Sequence, residues 1–216
     1  MKKLVWLLFI FITVKAYALD YGFSTFIATA NCDLVVQKQD ISICYSKQLD
    51  IPLLVSYTVT SQEENSLKKL KRPYFYTSKY YRKVHSSDYT HSGFDRGHMA
   101  PNETFCFSKS AQHETFSMLN ITPQSKQLNR HAWARLEKHV RELVKRYKVI
   151  HVITGVCNIS NRKIKNKIII PESFFKAIKG PSFYEFWIGY QNGKVKRANL
   201  QTLNKECKVV KIKIIR

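Results

Sequence analysis

Acidic residues are scarce in this 216-residue chain: 15 Asp and Glu stand against 36 Lys and Arg, for a formal charge of +21. So lopsided a balance is costly in self-repulsion unless it serves solubility or an anionic partner, such as nucleic acid or a membrane surface. Gly and Pro are few, seven and six, and no repeat, Pro- or Ser-rich linker or low-complexity tract interrupts the chain. With 44% hydrophobic residues, this excludes a disordered polycation, which needs high charge together with low hydrophobicity. The five cysteines, Cys32, Cys44, Cys106, Cys157 and Cys207, include no C-x-x-C, so zinc-ribbon and thioredoxin readings lack support. Long apolar runs are also missing, except at the start.

That start is Met1-Lys2-Lys3 followed by an apolar run from Leu4 to Val14 and the small-residue pattern Ala16-Tyr17-Ala18. It reads as a secretory signal peptide over residues 1–18, cut after Ala18. The run is too short for the ~20 residues of a spanning helix. Residues 19–216 are expected to form a single domain, exported to a periplasm or beyond the cell, with no stable membrane anchor. An exported chain can keep disulfides. Cys32 and Cys44 flank a short segment and could close a local loop; Cys157 and Cys207 could tie the C-terminal strands, leaving Cys106 odd. Sequence alone does not fix the pairing.

Residues 19–50 read as short segments with two strands. Leu53 to Thr60 alternates and is rich in β-formers, which predicts a strand. Residues 61–93 read as a long basic surface loop, with Lys68, Lys69, Lys71, Arg72, Lys79, Arg82 and Lys83 interleaved with Tyr74, Phe75, Tyr76, Tyr80 and Tyr81. Basic groups can meet phosphates while rings stack on bases; the plainer reading is a solvated loop. Ser108 is expected to cap a short helix through Leu119. Leu128 to Tyr147 is the clearest helix, with Ala132, Leu136, Val140 and Val144 on one face. Further strands are expected at Val149 to Thr154, Lys167 to Pro171, Tyr184 to Tyr190 and Val209 to Ile215, and a short helix from Pro171 through Ile178. The C-terminal strand, Lys208 to Arg216, reads as half-exposed. The whole predicts an α+β domain around a largely antiparallel sheet.

The residues able to do chemistry gather between Phe94 and Arg141. Asp95, Arg96 and His98 surround Gly97, and a histidine beside a carboxylate can serve as general base. Asn129, Trp133, Glu137 and Arg141 recur every fourth residue, a stripe drifting ~40° per step along a regular helix. An amide oxygen, a carboxylate and a guanidinium along one seam suit an oxygen-ligated cation and a phosphate. Mg²⁺ prefers oxygen ligands, keeps several waters and needs few protein ligands. Phosphodiester cleavage needs an activated water, charge stabilisation and help for the leaving oxygen, and these residues can supply all three. Each has a bland reading: an Asp95–Arg96 ion pair, an exposed Glu137–Arg141 pair, Trp133 in the core, and Asn129 as helix N-cap.

Taken together, the segment resembles the DNA/RNA non-specific endonuclease family of ββα-metal nucleases. The match runs through Asp95-Arg96-Gly97-His98 with Ala100-Pro101, Asn120-Ile121-Thr122-Pro123-Gln124, Leu128-Asn129 and Ala132-Trp133-Ala134-Arg135-Leu136-Glu137. Weaker similarity extends to Val55-Ser56-Tyr57-Thr58, Thr154-Gly155 and Ile170 to Lys176, so the resemblance covers roughly Leu53 to Trp187. It implies a ββα-metal fold and a Mg²⁺-dependent endonuclease, with Mn²⁺ as a substitute, acting on DNA and RNA to give 5′-phosphates. It implies His98 as general base, Asn129 as the direct metal ligand, and Glu137 holding a water of the metal's hydration shell. It implies Arg96 and Arg141 on the scissile phosphate, Arg72 as a further phosphate contact, and Asn120 in support. Asp95 is expected to orient Arg96 or its loop. Arg130-His131 stand where some members carry Gln-Gly, which adds charge beside the metal site. The rival reading is an exported, non-catalytic cationic DNA-binding protein; a membrane-active protein is weaker, because the basic residues are not gathered on one amphipathic helix.

Overall fold

The computed structural model describes residues 15–16 and 25–215. Most of the expected leader, its apolar run and cleavage point included, lies outside the described residues. In chain order, β1 (Lys15–Ala16), β2 (Thr25–Thr29), β3 (Leu34–Gln37), β4 (Ile41–Ser46) and β5 (Ile51–Thr60) precede α1 (Ser61–Asn65). β6 (Asp95–His98), α2 (Lys109–Thr115) and β7 (Ile121–Gln124) follow, and a π-helical turn at Leu128–Trp133 runs into α3 (Ala134–Tyr147). β8 (Val149–Ile164), β9 (Ile168–Lys179), β10 (Tyr184–Tyr190), β11 (Val195–Ala198), α4 (Leu200–Glu206) and β12 (Lys211–Ile215) complete it.

Seven strands form one sheet in the order β11-β10-β9-β8-β5-β4-β3, with every neighbouring pair antiparallel. The α+β expectation, with a largely antiparallel sheet, is met. β5, β8 and β9 sit inside the sheet and are apolar on both faces, with Val55, Val156, Phe174, Phe175 and Ile178 fully enclosed. Helix α3 lays Leu136, Val140 and Val144 on this sheet, the face its periodicity predicts. β6 and β7 form a separate two-stranded ladder. β1, β2 and β12 make a third sheet. In β12 the exposed Lys211 and Lys213 alternate with buried Ile212, as its sequence suggests. Cys32–Cys44 links β3's approach to β4, and Cys157–Cys207 links β8 to the end of α4, while Cys106 is free and buried.

Several expectations are corrected. Residues 171–178 are not a helix: β9 runs unbroken through Pro171 to Lys179, paired to β8 and β10. Pro171 is tolerated because it sits opposite Ile159, where the β8 register is irregular and no regular donor is required. Three strands, not two, lie among the described residues between 19 and 50. The basic loop holds α1, which a capping box starts: Thr60 Oγ1 accepts from Glu63 N, and Glu63 accepts from Thr60 N. Helix α2 is capped by Ser108 Oγ at 3.0 Å but ends at Thr115, not Leu119. β11 and α4 were not foreseen.

Candidate active site

The ladder of β6 and β7 presents the first half of the site. Asp95 pairs with Gln124, Arg96 with Pro123, Gly97 with Thr122 and His98 with Ile121. Gly97 is required by contact: a Cβ there would lie 2.4 Å from the Gln124 side chain. Successive side chains point to opposite faces of a strand, so Asp95 and Arg96 part. The expected Asp95–Arg96 pairing is therefore corrected. Arg96 donates to Ser86 O at 3.0 and 2.7 Å and to Thr90 Oγ1 at 3.2 Å. Asp95 instead accepts from both Nε and Nη2 of Arg130, at 2.8 and 2.7 Å, and from Asn129 Nδ2 at 3.0 Å. Its carboxyl is held below the ordinary range, first by the Arg130 hydrogen bond and then by Asn129, against burial.

This contact joins the ladder to the helix. With its Nδ2 committed to Asp95, Asn129 keeps its amide oxygen as its remaining acceptor, fixed in direction. The charge of Arg130 is neutralised by the same carboxylate rather than added to the site. Asn129 is not the N-cap; Ser125 Oγ performs that role, accepting from Leu128 N at 3.1 Å. Trp133 is fully buried against Phe174, with ring centroids 6.1 Å apart, so it belongs to the core and leaves the stripe drawn from regular helical spacing.

His98 lies between two rings, its centroid 5.4 Å from Phe75 and 5.0 Å from Phe116. Its Nε2 is enclosed and has no hydrogen-bond partner. Burial and, after it, the charge of Arg72 hold its pKa down to about 3, so the imidazole is neutral at physiological pH. Arg72 lies over the Phe116 ring at 5.5 Å, and Arg96 over the Phe75 ring at 5.7 Å. The two rings that hold His98 thus also carry the two arginines. The loose upstream match of Arg72 is placed at the site.

Asn120 is fully buried and supports this arrangement. Its Oδ1 accepts from Ala100 N at 2.9 Å, and its Nδ2 donates to Ala100 O at 2.9 Å and Thr115 O at 2.8 Å. It thereby pins the chain two residues beyond His98. Asn120→Ala leaves those buried backbone groups without partners, at roughly 1–3 kcal/mol each. Chemical denaturation should show a stability loss of roughly 3 kcal/mol or more; a loss below 1 kcal/mol would mean water replaces the amide.

Glu137 and Arg141 complete the other half. Arg141 pairs with Glu103 at 2.8 Å, so the bland Glu137–Arg141 pair does not form. Burial pushes the Glu137 carboxyl up, while Lys176 and then Arg141 pull it back. Lys176, which sequence reasoning assigned no role, is fully buried on β9, donating to Thr154 Oγ1 at 2.7 Å and facing the Trp133 ring at 5.0 Å. Burial draws its pKa down and Glu137 opposes that. Reading residues 171–178 as a helix hides Lys176: only in a strand enclosed on both faces does a lysine lose its route to solvent.

Among the described residues no group of three or more His, Cys, Asp or Glu is arranged to hold a metal. What the site offers suits a strongly hydrated, oxygen-seeking cation that needs few protein ligands: the Asn129 amide oxygen, oriented through the Nδ2 contact with Asp95.

A family model described as DNA/RNA non-specific endonuclease matches residues 22–212. The mitochondrial Endonuclease G of Homo sapiens is 34% identical over 110 residues, 45% of this chain and 37% of that protein. The Mitochondrial nuclease of Saccharomyces cerevisiae is 33% identical over 167 residues, 68% of this chain and 50% of that one. A Nuclease of Nostoc sp. is 34% identical over 96 residues, 44% and 35% of the two chains. The chain thus spans about a third to a half of the length of the curated relatives it matches. A solved structure of the EndoG/EndoGI complex superposes with a TM-score of 0.69 at 24% identity, over 80% of this chain and 82% of that one, a likeness of fold.

Proposed function

Because the chain belongs to the DNA/RNA non-specific endonuclease family, we propose that it hydrolyses internal phosphodiester bonds of DNA and RNA in a Mg²⁺-dependent reaction. The observation that carries this reading is His98: a neutral imidazole with an enclosed, unpartnered Nε2, flanked by Arg72 and Arg96. Asn129 would hold the cation through its amide oxygen, and Asp95 orients that amide. When bound, the cation, with Mn²⁺ as a substitute, supplies positive charge for the phosphate and the leaving oxygen. His98 Nε2 accepts a proton from the attacking water as its oxygen bonds to phosphorus. The bond to the 3′ oxygen breaks and that oxygen takes up a proton from solvent, giving a 5′-phosphate and a 3′-hydroxyl. Arg96, Arg141 and Arg72 hold the phosphate oxygens and the charge that builds on them, Arg141 turning from Glu103 to do so. Glu137, its ionised form favoured by Lys176, would accept from waters around a bound cation.

Since these contacts go to phosphate, little base specificity is expected. Residues 19–216 act as one nuclease domain, and the leader with the two disulfides supports export to an oxidising compartment, periplasmic or extracellular. Nicking of a supercoiled plasmid with Mg²⁺, abolished by chelator, tests the reading; plasmid bound but intact would favour the non-catalytic DNA-binding alternative. Most of the positive charge lies outside the site and acts as a field, so cleavage should fall steeply as salt rises from about 50 to 200 mM. A flat salt profile would remove that role.

A further inference from the structure

Beyond Arg96, on the side away from His98, lies a pocket of about 290 Å³ between residues 88–94 and the hairpin of β8 and β9. We propose that it is an accessory subsite for a backbone phosphate of the nucleic-acid strand, next along from the phosphate at His98; the inference rests on the nuclease reading and extends it.

Phe94, Arg96 and His98 occupy alternate positions on one run of chain, so they share a face, successive positions about 6.6 Å apart. That step is comparable to the spacing of neighbouring phosphates on an extended strand. Arg162 lies over the Phe94 ring at 5.9 Å, which continues the track of ring and guanidinium already formed by Phe75 with Arg96 and Phe116 with Arg72. Thr90 joins the two places directly, since it lines the pocket and its Oγ1 accepts from Arg96.

The hairpin is shaped to put Arg162 there. Between Ile159 and Lys163, β8 takes four steps while β9 takes two, from Pro171 to Ile169. The surplus bulges out of the ladder and is pinned by Ser160, whose Oγ donates to Ile170 O at 2.8 Å and accepts from Arg162 N at 3.1 Å. Bulges re-aim side chains and recur beside active sites. Other charges here are already committed: Asp88 pairs with Lys167 at 2.6 Å, and Lys165 donates to Ser87 O at 3.0 Å. Arg162 and Lys163 are exposed and have no acidic partner among the described residues, so two cations face the pocket uncompensated, beside the Thr90 and Ser92 hydroxyls.

The test is Arg162→Ala/Lys163→Ala against a charge-matched control, Lys205→Ala/Lys208→Ala, at the C-terminal end of the chain. On duplex DNA of thirty base pairs, the first variant should raise KM on the order of five- to tenfold with kcat near wild type. Its binding, measured without added cation, should lose about 1–2 from the log–log salt slope. On a phosphodiester too small to reach the pocket, bis(p-nitrophenyl) phosphate, it should match wild type. Equal KM and slope in variant and wild type, or an equal loss in the control, would overturn the subsite. Absence of cleavage by the wild-type chain would strike the nuclease reading alone, because the binding slopes still judge the pocket.

Discussion

Alanine in place of His98 should slow DNA cleavage on the order of 10²–10⁴-fold while DNA binding without turnover stays close to wild type. The asymmetry follows from the site. His98 is neutral at physiological pH, so removing it subtracts no charge from the surface that attracts the polyanion. Arg72 and Arg96 remain over Phe116 and Phe75. Single-turnover rates and anisotropy binding on the same oligonucleotide check both halves; near-normal turnover would sink the assignment of the base. The same variant has a pH signature in stability. The folded histidine binds its proton only near pH 3, the unfolded one near its ordinary value of 6.5. The unfolded state therefore takes up the proton first, and His98 costs the wild type stability as pH falls from about 6.5 through about 3. The variant escapes that loss, so its relative stability should rise over this interval.

Asn129→Ala should weaken cation binding by more than the roughly 10–100-fold typical of removing a group that only orients a ligand. The comparison is built into the site, because Asp95→Ala removes the orienting group while leaving the amide. Titration of Mg²⁺ or Mn²⁺ by calorimetry, alongside the metal dependence of cleavage, should rank wild type above Asp95→Ala and Asp95→Ala above Asn129→Ala. An unchanged metal dependence in Asn129→Ala would remove its ligand role. Asp95→Ala also frees Arg130, so part of its deficit reflects an uncompensated cation near the metal position.

Local pattern made much of this legible. The 3.6-residue rhythm of Leu136, Val140 and Val144 and the alternation of Leu53 to Thr60 are properties of neighbouring residues. The Asp95-to-Glu137 segment was legible through resemblance, which singled out His98 and Asn129 without showing their neighbours. Facts that depend on which chain lies opposite were hidden. Pro171 looks like a helix start until β8 and β10 flank it. Asp95 looks like a partner for Arg96 until the pleat sends the two apart and Arg130 arrives from the helix. Lys176 looks like a surface lysine until β9 is found in the middle of the sheet.

The wide turn at Leu128–Trp133 has one more consequence. A π turn takes up one residue more than an α turn, and each residue of a regular helix advances it by about 100°. The turn therefore sets the phase between two faces of one continuous helix: Asn129 aimed at Asp95, and Leu136, Val140 and Val144 aimed at the sheet. Deleting one residue there to restore a uniform helix would force a choice. If the core kept its face, Asn129 would rotate about a quarter turn off the site; if Asn129 kept its place, the apolar stripe of α3 would swing toward water. The irregular turn is the gear that lets one helix serve both the Asn129 amide and the core.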